Sequence, residues 1–187
     1  IPESLETLML SPARSFVRTA QTGADQATDF RIWEYDASLD ERFARNFLRL
    51  YEDDFAAIPP KEARNTIAYY TVAFPANAQK IELDEEQVRS THMRTNWAKV
   101  LIVPDTNALK LIEGREYMRC VDSMSEMGLS ADGFSGAPVF AIYQKADLQC
   151  RFAFCGLITD GHEDGRLAIF PATEIIRSVI TLKAHPL

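Results

Sequence analysis

Residues Gly133 to Phe140, GFSGAPVF, place one serine in a glycine-flanked turn immediately before an apolar run. Glycine reaches backbone conformations closed to other residues, so the turn can be tight. The amides of Gly133 and Ser135 can then point at one place in space. Such a place is an oxyanion hole, the largest usual contribution to catalysis in acyl transfer. The run Val139, Phe140, Ala141, Ile142, Tyr143 is rich in β-formers, so the serine is expected to lead into a strand. A turn of this composition also occurs where the serine serves only its own loop.

Two known patterns compete for the motif. In the nucleophile elbow of α/β-hydrolases, Gly-x-Ser-x-Gly, the serine sits between a strand and a helix. Pro138, the strand that follows, and Ala137 in place of the last glycine argue against it. The segment more closely resembles GDSGGPV, the nucleophile motif of trypsin-like serine peptidases, through Ser135, Gly136, Pro138 and Val139. Phe134 stands where that family usually has Asp, and Ala137 where it has its second Gly.

The downstream sequence extends the resemblance. Phe152 to Gly161, FAFCGLITDG, reads as a buried strand and resembles the family's QGIVSWG, one wall of the substrate cleft. The resemblance implies that Thr159 matches the buried serine near the catalytic carboxylate and that Gly161 pairs with bound peptide. The turn His162-Glu163-Asp164-Gly165 predicts a hairpin to a return strand, Arg166 to Phe170, which Pro171 stops. Thr173 is a plausible cap for a C-terminal helix carrying Ile175, Ile176, Val179 and Ile180 at helical spacing. Upstream, Ile67 to Phe74 reads as a strand, and YYTVAFPAN resembles the first strand of the second barrel in bacterial members of the family. Further strands are expected at Val88 to Met93, Ala98 to Val103 and Tyr117 to Val121.

The expected fold is all-β, mainly antiparallel. It is a two-barrel trypsin-like fold with a shortened or modified N-terminal barrel portion over 1–66 and a C-terminal barrel over 67–187. Within the first part, Ser38 and Glu41 form a capping box, and Leu39, Phe43, Phe47, Leu50 and Tyr51 recur at helical spacing. An inserted helix is therefore predicted over about 39–51.

Through the resemblance, Ser135 is the nucleophile, and the Gly133 and Ser135 amides form the oxyanion hole. Asp54, in the DLAVI-like stretch Asp54 to Ile58, is the candidate carboxylate that orients an imidazole; an ordinary solvated Asp beside Glu52 and Asp53 is the other reading. Leu129, six residues before the nucleophile, falls at the base of the primary specificity pocket, with Gly161 and Gly165 on its walls, so an apolar or aromatic substrate side chain is expected there. The base histidine is the missing member. Phe16 to Thr22 resembles the family's TAAH segment with Thr22 in the histidine's place, and His92, His162 and His185 all follow Asp54. Two function classes stay open: a serine peptidase whose histidine lies upstream of Ile1, and a pseudo-peptidase that binds peptide or protein.

Composition narrows the partners. A net charge of −7 disfavours non-specific nucleic-acid binding, and no apolar run is long enough to span a membrane. Cys120, Cys150 and Cys155 have no metal-like spacing, so neither metal nor other cofactor is expected. Reduced thiols lean the location toward the cytoplasm, with secreted and periplasmic placements open. Oligomeric state is not encoded in any of these features.

Overall fold

The computed structural model describes residues 14–17, 31–34, 50–83, 91–94, 96–106 and 114–184. The chain divides into two units, Ile1–Arg49 and Leu50–Leu187, so that residues 50–66 group with the barrel that follows. In the first unit, β1 (Arg14–Val17) and β2 (Arg31–Glu34) pair antiparallel. Thr22 and positions 39–49 of the expected helix lie outside the described residues. Leu50 and Tyr51, its expected end, are not helical.

The second unit contains β3 (Asn65–Ala73), β4 (Lys80–Leu83), β5 (Thr91–Arg94), β6 (Ala98–Pro104), β7 (Glu116–Cys120), β8 (Pro138–Gln144), β9 (Cys150–Gly161) and β10 (Arg166–Pro171), followed by α1 (Ala172–Ala184). Six strands close an antiparallel barrel in the order β10-β7-β6-β3-β8-β9, while β4 and β5 form a separate two-stranded sheet. Along the barrel, β8 returns to lie beside β3, outside the β3-β6-β7 run. This is Greek-key connectivity. The strands at the middle and end of the chain fall where alternation and turn chemistry predict them. Of the expected strand at 88–93, residues 88–90 lie outside the described residues and the rest falls in β5, which runs on to Arg94, and β4 is an addition.

The core follows from period-two alternation. On β6, Val100 and Ile102 point inward while Lys99, Leu101 and Val103 face out. Met118, Val139, Ala141, Cys155, Ile158, Leu167 and Ile169 complete the barrel interior, and Phe134 and Met124 join them from the loop before β8. Thr71 is the buried polar residue of this core, and its hydroxyl donates to the Pro138 carbonyl at 2.8 Å. That bond ties the C-terminal part of β3 to the first residue of β8.

Burial sets the chemistry of the thiols. It pushes Cys155 up to about 12 and, with the nearby Asp122 charge, Cys120 up to about 11, from an ordinary 9.0. Both are therefore inert neutral groups at physiological pH. A pKa raised in the folded state means that the native protein holds its proton longer than the unfolded chain. Their contribution to stability is complete below pH 9 and is lost as pH rises from about 9 to about 12. Iodoacetamide at pH 8 should alkylate exposed Cys150 alone in the native protein, and all three cysteines only after unfolding. Urea midpoints should fall over the same alkaline window, less steeply once Cys155 is replaced by alanine. Intact-mass counting and stepped-pH unfolding check the two statements.

Candidate functional site

Ser135 is held by two consecutive turns. The Phe134 amide donates to the Ala131 carbonyl at 3.2 Å, and the Ala137 amide to the Phe134 carbonyl at 2.9 Å. Each turn has a glycine at its third position with positive φ, Gly133 at 90° and Gly136 at 86°. This is the type II pattern, which needs glycine at that place. Phe134, shared by both turns, is fully buried and anchors them to the core. Ser135, next to it, is exposed.

The same bonds orient the peptide groups. In a trans peptide the carbonyl and the N–H point in opposite directions. The Asp132 carbonyl accepts from the Ala76 amide at 2.8 Å, so the Gly133 N–H points away from that loop. The Phe134 carbonyl is turned to Ala137, so the Ser135 N–H points away from it. Among the described residues neither the Gly133 nor the Ser135 amide donates a hydrogen bond. The Gly136 amide, by contrast, is spent on the Ile158 carbonyl at 2.7 Å.

The Ser135 hydroxyl donates to the Thr159 carbonyl at 3.3 Å. Thr159 is the residue skipped where β9 and β10 shift register, since Ile158 faces Ile169 and Asp160 faces Ala168. A bulge of this kind re-aims a strand residue, and bulges concentrate beside active sites. The freed Thr159 hydroxyl donates to the Ala168 carbonyl at 3.3 Å and accepts from Arg115 Nε at 3.1 Å. The Arg115 guanidinium also lies 4.8 Å over the Phe170 ring. Sequence reading did not single out Arg115, because its role depends on a register shift two strands away.

The remaining expected residues separate into those near Ser135 and those elsewhere. Leu129 is half-buried against the barrel core. Gly161 faces the nucleophile loop: a Cβ there would lie 3.5 Å from the Ala131 carbonyl oxygen. Gly165 is buried against Cys120, and Glu163 reaches from the hairpin to accept from the Ala131 amide at 3.3 Å. Asn77 braces the same loop from the other side, donating to the Gly128 carbonyl at 3.0 Å and accepting from the Ser130 amide at 3.1 Å.

Asp54 is not brought to Ser135. It closes a short 3-10 turn, Glu52–Asp54, and its carboxylate accepts from the Tyr51 amide at 2.7 Å. Phe55 then bridges Phe154 on β9, five residues and about 16 Å along the strand from Thr159. Among the histidines, His162 Nε2 lies 3.4 Å from Asp160 Oδ2, His92 is on β5, and His185 lies outside the described residues. Among the described residues the Ser135 hydroxyl has a carbonyl partner and no imidazole.

No group of three or more His, Cys, Asp or Glu side chains able to hold a metal occurs among the described residues. No helix among them is long and apolar enough to cross a membrane. No protein-family model, curated protein or solved structure matches this chain.

Proposed function

We propose that the barrel is the nucleophile-bearing half of a two-barrel, trypsin-like serine peptidase domain, with Ser135 as nucleophile and the Gly133 and Ser135 amides as its oxyanion hole. The observation that carries this reading is the double turn: an exposed serine at its apex, with two outward amides that no protein acceptor among the described residues occupies. Donors fixed in advance and left empty suit an oxygen that gains negative charge during acyl transfer. Gly161 beside the same loop gives an extended peptide a strand edge to lie along.

The second reading is a pseudo-peptidase that keeps the cleft and binds peptide without cutting it. It is favoured by the Ser135 hydroxyl resting on a carbonyl, which cannot take its proton, and by Asp54 being engaged at Tyr51. Both readings share the peptide cleft and differ in whether an imidazole reaches Ser135.

A fluorophosphonate probe separates them, since it labels serine only when the hydroxyl is activated. For these 187 residues the expected result is no labelling above that of a Ser135→Ala variant, with peptide hydrolysis at trace level in both. Loss of a base from a triad costs several orders of magnitude in rate. Stoichiometric labelling that disappears in Ser135→Ala would establish the active peptidase instead. An absence of any saturable peptide binding would remove both readings.

A further inference from the structure

Away from Ser135, a cavity of about 260 Å³ opens where the 53–62 segment runs past Tyr143 of β8 and the first turn of α1. That is just below the usual ~300 Å³ lower bound for small-molecule sites, which suits a ligand the size of one amino acid. Phe55, Ala57 and Pro60 form its apolar lining. Glu62, also at the cavity, is accounted for by an ion pair with Lys145 Nζ at 2.5 Å.

Four other polar groups line the same space: Asp53, Lys61, Tyr143 and Thr173. Among the described residues none of their side chains has a hydrogen-bond or ion-pair partner. Tyr143 as a residue is 6% exposed, and the polar group of a residue buried to that degree ordinarily has a partner. Asp53 and Lys61 carry opposite charges, form no ion pair with one another and are both exposed, so the two charges are offered separately at the cavity rim. Thr173 lies in the first turn of the 13-residue α1, where backbone N–H groups are free of intrahelical acceptors and favour an anion.

We propose that this cavity binds a free α-amino acid with an apolar side chain, as the zwitterion. Its carboxylate meets Lys61, the Thr173 hydroxyl and the start of α1. Its ammonium group meets Asp53, Tyr143 supplies a hydroxyl between the two, and the side chain rests on Phe55, Ala57 and Pro60. A simple carboxylic acid would leave Asp53 facing a like charge, and a simple amine would do the same to Lys61. A ligand carrying both charges pairs with both residues at once. The site shares no residue with the Ser135 turn and stands whether or not that turn is catalytic.

Titration of the isotope-labelled protein with L-valine, followed by amide chemical shifts, tests the proposal. Saturable shifts are expected at Ala56, Ala57, Lys61 and Thr173, with N-acetyl-L-valine and L-valinamide each binding at least about tenfold more weakly, or 1.4 kcal/mol. Lys61→Met and Asp53→Asn, both at exposed positions and so harmless to folding, should each weaken L-valine by a similar factor. Ser135→Ala should leave it unchanged. Absence of saturable shifts with L-valine, binding of either capped analogue as tight as that of L-valine, or indifference to both charge substitutions would overturn the site.

Discussion

Replacing Gly133 by alanine should destabilise the barrel by about 4 kcal/mol, near the upper end for a single substitution. A Cβ at this position would sit 2.2 Å from the Phe74 carbonyl oxygen and 2.9 Å from the Ala76 amide nitrogen. Both are backbone atoms and cannot swing aside as a flexible side chain would. The φ of 90° adds strain that an L-residue does not relieve. A loss of that size in a domain of this length lowers the thermal midpoint by about 10 °C, readable by calorimetry. Gly136 makes the matched control. It has nearly the same φ, but a Cβ added there would meet no atom within 4 Å, so Gly136→Ala should carry the conformational cost alone. Equal losses at the two glycines would show that Phe74 and Ala76 yield to the added methyl.

Phe134→Ala should cost about 4 kcal/mol, the usual range for emptying a buried aromatic site. Phe134 is wholly enclosed and packs in the cluster that holds Met118, Val139 and Ile158. The side chain is a core residue, and an aspartate would be an unpaired charge in a dry interior. Phe134→Asp should therefore fail to fold, while Phe134→Leu should retain most of the stability. Chemical denaturation of the three variants orders them, and an alanine variant within about 1 kcal/mol of the parent would mean that the turn does not depend on its core anchor.

The legible parts of the chain are those governed by local rules. β8 is evident because four of the five residues that follow a proline are β-formers, and the β9–β10 hairpin because Gly165 ends a four-residue turn stopped again at Pro171. α1 is evident from four aliphatic residues at helical spacing. β4 is not, because Lys80 and Glu82 give KIEL the composition of a solvated loop, and its pairing with β5 is a tertiary choice. Asp54 illustrates a different limit. A carboxylate before a short apolar run fits a family strand, but the same residue three positions after Tyr51 also fits a local cap, and the cap is what forms. The bulge at Thr159 is illegible in principle from β9 alone, since a register shift is a property of two strands. Ser135 itself is readable because two glycines and a proline constrain the backbone whatever surrounds them.

The bridge between Phe55 and Phe154 bears on where the folding unit begins. β10 pairs with β9 only from Gly156 onward, which leaves the first half of that long strand with one open flank. The Ala56 amide, donating to the Phe154 carbonyl at 2.9 Å, and the Phe55 ring, edge-on to Phe154 at 5.4 Å, occupy that flank. A chain cut between residues 66 and 67 would keep nearly all of the barrel strands and still present unpaired backbone beside bare aromatic surface, the combination by which sheet edges recruit other molecules. Residues 50–57 thus act as a selvedge: they contribute no long strand, but they keep the barrel from fraying into its neighbours.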